Sequence, residues 1–147
     1  MSVGAELPAE IVEQLQGGKT VVIATVDTSG VPMTTVMSWV VARDPRRVAI
    51  AIDKRGRAIE NVRATEWVAM EILVDHLPAG CRGRAKVVRE EMKSTPFPCA
   101  IVELTVEEYR DHSVGGLDFH GPWYEYLEDK KHRVDVEFEI FDELRTY

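Results

Sequence analysis

Cysteine is scarce in this chain, and what little there is excludes two classes of small protein. Cys81 and Cys99 are the only two; they lack the paired spacing and neighbouring histidines of a zinc site and are too few for a disulfide scaffold. Both read as reduced, partly buried thiols, with Cys81 expected to have a lowered pKa because Arg82 follows it. Positive charge is also in short supply: 18 Lys and Arg stand against 25 Asp and Glu, a formal net charge of −7. That balance disfavours a nucleic-acid surface, which needs a concentrated basic patch. No stretch of about 18 apolar residues occurs, as a membrane-spanning helix would need. The opening Met-Ser-Val-Gly-Ala-Glu-Leu-Pro has neither the basic start nor the apolar stretch of a secretory signal. A cytoplasmic protein with no membrane partner is the expectation. With 147 residues, 45% of them hydrophobic, the chain is expected to fold as one domain around one core.

What is present is mostly β-type. Leu7, Ile11, Val12 and Leu15 follow helical spacing after Pro8 and stop at Gly17-Gly18, which predicts a first short helix. Residues 20–26 and 31–42 are rich in β-branched side chains on either side of Asp27-Thr28-Ser29-Gly30, the pattern of a hairpin. In the second of these strands Met33, Thr35, Met37 and Trp39 alternate with Thr34, Val36, Ser38 and Val40, so neither face is purely polar and both are expected to be covered. A turn at 44–47, a strand at 48–52, and a short helix burying Ala58, Ile59 and Val62 follow, with Asp53 where its cap would sit. Strands are expected at 67–74, 83–88 and 99–106, with 77–80 as a loop. Many short strands and only minor helices argue for a mostly antiparallel β-barrel.

After Asp111 the pattern changes to a glycine-framed loop carrying Trp123, Tyr124 and Tyr126. Residues 133–141 alternate strictly, Val134, Val136, Phe138 and Ile140 against Asp135, Glu137 and Glu139, which predicts a half-exposed strand with a solvated acidic face. His112 and His120, near Asp111 and Asp118, match no metal motif, and neither Ser38 nor Ser113 has a nucleophile context such as GxSxG.

The segment with most chemical content is Asp53-Lys54-Arg55-Gly56-Arg57-Ala58-Ile59-Glu60-Asn61-Val62-Arg63. Cations gathered at a predicted helix start, after a buried strand, suit an anion such as a phosphate. A basic turn is more often only a solvated surface.

Ala24-Thr25-Val26-Asp27-Thr28-Ser29-Gly30-Val31-Pro32, the strand through Trp39, Arg57 to Arg63, and Gly83-Arg84-Ala85 together resemble the pyridoxamine 5'-phosphate oxidase-like FMN-binding split barrels, over about residues 7 to 106. The resemblance implies a mostly β split barrel, FMN as cofactor, and a homodimer holding FMN near its subunit interface. It also implies a redox reaction on a small-molecule substrate, with residues 111–147 a family-variable extension. It assigns Arg57, helped by Arg55, to the phosphate, and Thr34 and Thr35 to the phosphate or ribityl chain. Val36, Met37, Ser38, Ile52 and Asp53 would flank the cofactor. Trp39 and Trp123 could stack on its ring, although tryptophan in a small barrel is more often a core or dimer contact; Trp123, in its loop, is the better candidate. Some relatives carry Ser or Thr where this chain has Ala58, and the arginine-containing ending of the vitamin B6 oxidases is missing, so vitamin B6 oxidation is not expected. Alternatives are a relative using deazaflavin F420 or haem, and a non-catalytic flavin-binding or sensing module.

Overall fold

The computed structural model describes residues 3–147. A two-residue strand β1 (Val3–Gly4) precedes helix α1 (Ala9–Gln14). Then come β2 (Val21–Val26), β3 (Pro32–Met37), β4 (Val40–Asp44), β5 (Arg47–Asp53) and helix α2 (Arg57–Thr65). After these follow β6 (Trp67–Val74), β7 (Leu77–Arg89), β8 (Cys99–Asp111), a short 3-10 turn at Glu128–Lys130, and helix α3 (Arg133–Thr146). All pairings are antiparallel, and the strand order is β3-β2-β6-β7-β8-β5-β4, with β1 on β8. The mostly β, split-barrel reading of the sequence is therefore correct.

The predicted strand 31–42 is broken at Ser38-Trp39, and its halves lie at opposite ends of the sheet path. Two residues reach only about 7 Å when extended, so the sheet has to roll until its two ends are neighbours. This is why the molecule is a barrel rather than an open sheet. The ends are held without a continuous ladder: the amide of Gly18 donates to the Ser38 carbonyl (2.9 Å) and that of Ala42 to Leu15 (2.7 Å).

Strand β5 explains its own apolar run. Val48, Ile50 and Ile52 enter the barrel core with Ile23, Met70, Ile72 and Leu104. Ala49 and Ala51 point the other way, into a second cluster with Val41, Ile101, Ile140, Phe141 and Leu144 under α3. Burying both faces removes the alternation seen in a half-exposed strand. Strand β3 behaves differently from expectation, since it is the sheet's edge and its Pro32, Thr34 and Val36 are exposed rather than covered.

Two further expectations are corrected. Residues 77–80 are the first part of β7, not a loop, because the chain reverses at Asp75-His76, where His76 takes a left-handed φ of 66°. Residues 133–141 are helical. The buried residues of α3 are Glu137, Ile140, Phe141 and Leu144, spaced i, i+3, i+4 and i+7, and Phe138, at 66% exposure, lies off that stripe. Glu137, expected on a solvated acidic face, is 8% exposed. No helix among the described residues is long and apolar enough to cross a membrane.

Candidate functional site

A cleft of about 340 Å³ opens where β3, β5 and the start of α2 meet, within the size range of small-molecule sites. Each wall has a local cause. Asp27 Oδ1 accepts from the amides of Ser29 (2.8 Å) and Val31 (3.0 Å), and Gly30 supplies the positive φ of 81°; this turn folds β3 back along β2. At the end of β5, Asp53 Oδ1 accepts from the Arg55 amide at 2.9 Å, and the Lys54 amide donates to the Pro98 carbonyl at 2.9 Å. Those bonds turn the chain into α2.

Helix α2 is anchored by Ala58, Ile59 and Val62 in the core. The buried Asn61 amide donates to Thr25 Oγ1 at 3.0 Å, which satisfies a polar pair that burial would otherwise penalise. The N-cap of α2 is Gly56, and no side chain caps it. Asp53, expected as the cap, instead turns its carboxylate onto Arg55. The helix start therefore presents open amide N–H groups and the positive end of its dipole.

Of the sequence-derived candidates, Thr35, Val36, Met37, Ser38, Ile52, Asp53 and Arg57 all line this cleft. Arg55 stands beside it, its guanidinium held by Asp53 at 3.0 and 2.9 Å and lying 5.2 Å from the centroid of the Phe97 ring. Arg57 forms no side-chain hydrogen bond or ion pair among the described residues. It is the cation that lines the cleft at the helix start. Asp53 is held below the usual carboxylate range by the hydrogen bond from Arg55, so its charge is already answered.

Thr34 and Trp123 stand elsewhere. Thr34 alternates to the opposite face of β3, where with Val22, Ala24 and Ala69 it borders a second cleft of about 380 Å³. Trp123 is 79% exposed in the segment after β8.

Trp39, weighed in the sequence as a stacking residue, lines the cleft, and residues that sequence reasoning did not assign to the site complete it: Met33, Ala51, Gly56, Ala58, Phe97 and Cys99. Trp39 and Phe97 form a stacked pair, with centroids 5.4 Å apart and planes 22° off parallel. The available signal for Phe97 is its place between Pro96 and Pro98 immediately before β8, an aromatic in a stiffened loop. The cysteines are chemically quiet. Burial pushes the Cys81 thiol up to about 12, against the expectation from Arg82, whose guanidinium turns away to Glu108 (2.8 Å). Burial likewise pushes Cys99 up to about 11.

A histidine-bearing cleft lies beside the β6-β7 turn and the segment after β8. His112 Nδ1 is 2.7 Å from Glu71 Oε1, and His76 Nδ1 is 2.5 Å from Asp118 Oδ1. Both rings, with His120, line a space of about 410 Å³. No group of three or more metal-ligating side chains suited to an ion occurs among the described residues.

An antiparallel split barrel with an apolar cleft ending at one free arginine defines a class, and comparison with known proteins gives the same class. Residues 7–113 match the family described as pyridoxamine 5'-phosphate oxidase, and the chain belongs to that family. A Lactobacillus delbrueckii protein assigned to the pyridoxamine 5'-phosphate oxidases is 25% identical, with a TM-score of 0.62 over 73% of this chain and 95% of its own. The haem storage protein HutZ of Vibrio cholerae, 18% identical, has a TM-score of 0.56 over 71% of this chain and 94% of its own. An FMN-binding protein of Syntrophomonas wolfei, 14% identical, has a TM-score of 0.53 over 71% and 88%. Among proteins of curated function, none matches this chain.

Proposed function

We propose that the protein binds FMN in the cleft between β3, β5 and α2 and is an oxidoreductase acting on a small molecule. The observation that carries this reading is Arg57, unpaired among the described residues, at an uncapped helix start and at one end of a mostly apolar cleft. A phosphate there meets a guanidinium, backbone N–H groups and the helix dipole together. The residues fit the rest of the cofactor as well. Met37, Ile52 and Ala51 offer an apolar slot for a flat ring, the Trp39-Phe97 pair a stacking surface, and Thr35 and Ser38 hydroxyls for the ribityl chain. Bound FMN supplies hydride and electron transfer. The chain's own residues hold it, orient it and limit water, and none of them need be a catalytic acid or base.

The reading includes a homodimer in a cytoplasmic setting. The exposed row Pro32, Thr34 and Val36 on the edge strand β3, and the neighbouring cleft lined by Val22, Ala24 and Ala69, suit a second copy that would bring Thr34 and Trp123 toward a shared cofactor. Residues 111–147 are read as an extension of the single domain. Light scattering on the purified protein tests the dimer.

A second reading, haem binding, has one observation of its own. His112 presents Nδ1 to Glu71, the arrangement that fixes an imidazole so that its other nitrogen can ligate a metal. The visible absorption spectrum of the purified protein, followed by titration with FMN or haem, separates the two. Flavin bands at one per chain support the proposal, and a Soret band with no flavin binding replaces it with the haem reading.

A further inference from the structure

Trp39 occupies the break between β3 and β4, and one side of its ring is a wall of the cleft. Behind it, the indole Nε1 donates to Glu137 Oε2 at 2.8 Å, and the Tyr124 hydroxyl donates to the same oxygen at 2.8 Å. Glu137 is only 8% exposed and makes no ion pair among the described residues. These neutral donors, with the Tyr126 hydroxyl also against Glu137, satisfy a buried carboxylate, a group that tolerates burial only while such bonds are kept.

Helix α3 does not need this arrangement in order to dock. Ile140, Phe141 and Leu144 already bury it against Val41, Ala49, Ala51 and Ile101, and an apolar residue at 137 would serve packing without the cost of burying a carboxylate. What the carboxylate adds is direction. It fixes the rotation of an indole that also stacks on Phe97 and packs against the apolar cluster under α3. Glu137 and Tyr124 both lie beyond residue 113, where the match to the family ends.

We propose that Glu137 is a positioning residue for the cleft, holding Trp39 so that Trp39 and Phe97 form a fixed wall for a flat aromatic ligand. The identity of that ligand rests on the flavin reading; the positioning of Trp39 does not.

The test uses the full chain carrying Trp67→Phe and Trp123→Phe, which leaves Trp39 as its one indole. Glu137→Leu and Glu137→Gln are compared, the second retaining an acceptor oxygen. Acrylamide quenching of Trp39 in the free protein, read in that background, and FMN affinity, read with Trp67 and Trp123 intact, are the two readouts. Glu137→Leu is expected to raise the quenching constant about twofold and weaken FMN binding about tenfold, with Glu137→Gln restoring both most of the way, as loss and replacement of one buried hydrogen bond requires. Leu144→Ala, which opens a cavity two turns further along α3 and leaves the Glu137 hydrogen bonds in place, is expected to lower Tm and leave FMN affinity within about twofold at a temperature where it is folded. Unchanged quenching in Glu137→Leu overturns the proposal, as does an equal loss of affinity in Leu144→Ala. If Glu137→Leu fails to fold, Glu137→Asp, one methylene shorter, is expected to move both readouts in the same direction, and no movement overturns the proposal. Failure of the unsubstituted protein to bind FMN counts against the flavin reading alone, and Trp39 quenching then decides the positioning by itself.

Discussion

Arg55 closes a two-point hydrogen bond on the carboxylate of Asp53, Nε to Oδ1 at 3.0 Å and NH2 to Oδ2 at 2.9 Å. Two residues later Arg57 has no such partner. The pair makes the two arginines unequal: Arg55 cancels a negative charge at the edge of the cleft, and Arg57 is left to meet an incoming anion. Arg57→Ala is expected to weaken FMN binding by about 1.5–3 kcal/mol, the scale of a lost charged hydrogen bond. Arg55→Ala is expected to cost clearly less than Arg57→Ala, because the exposed carboxylate it uncovers repels phosphate only through solvent. Adding Asp53→Asn to Arg55→Ala should restore most of that loss. Quenching of FMN fluorescence measures all three.

The C-terminal helix offers a sharper contrast. If residues 133–141 were a strand, Phe138 would share the face of Val136 and Ile140. In α3 Ile140 and Leu144 are fully buried and Phe138 is exposed. Leu144→Ala is expected to cost about 2–5 kcal/mol and Phe138→Ser to stay within about 0.5 kcal/mol. Chemical denaturation of the two variants checks the assignment.

The reason for that misreading is physical. Over 134–140 every second residue is apolar, which suits a strand, and the helical set declares itself only when Phe141 and Leu144 are counted with Ile140. Where the local pattern admits one reading the sequence was readable: α1, the turn joining β2 to β3, α2 and the continuous apolar run in β5 all lie close to their expected places. The break at Ser38-Trp39 was not readable, since it is imposed by closing the barrel and not by any turn residue. The site shows the same division. The cationic end of the cleft was legible from Arg57 and the helix start, being local in sequence. Phe97 and Glu137 were not, because they reach Trp39 only through the fold.

Cysteine chemistry gives a third expectation. Burial raises Cys81 to about 12 and Cys99 to about 11, so near pH 8 fewer than about one thiol in a hundred is ionised, and the thiolate is the reactive form. Iodoacetamide is expected to leave both unlabelled in the folded protein and to label both once it is denatured. Mass spectrometry counts the adducts, and rapid labelling of Cys81 in the native state would contradict its burial.

The loop after β8 carries a pH dependence of definite sign. The hydrogen bond between His76 and Asp118 raises the imidazole above its ordinary 6.5 and holds the carboxyl below its ordinary 3.8. Asp75 adds to the rise at His76, and His120 to the fall at Asp118. The His76 contribution is therefore full below pH 6.5 and is lost as pH rises through the raised value. That of Asp118 is full above 3.8 and is lost as pH falls through the lowered one. Between those limits the pair helps fasten residues 118–121 to the β6-β7 turn, alongside the Gly121 amide on Asp75 Oδ1 at 2.7 Å and the His76 amide on the Phe119 carbonyl at 2.8 Å. An NMR titration is expected to place His76 above 6.5 in the native protein and back near 6.5 in Asp118→Asn. Because both groups are exposed, the effect should be local and should shrink in high salt.

The most direct test of the central claim compares FMN with riboflavin, which has the same ring and ribityl chain and no phosphate, on the native protein and on Arg57→Ala. If Arg57 and the start of α2 hold the phosphate, FMN should bind the native protein at least about tenfold more tightly than riboflavin, and most of that advantage should vanish in Arg57→Ala. Equal affinity of the native protein for the two flavins, or an FMN advantage untouched by the substitution, would contradict the account.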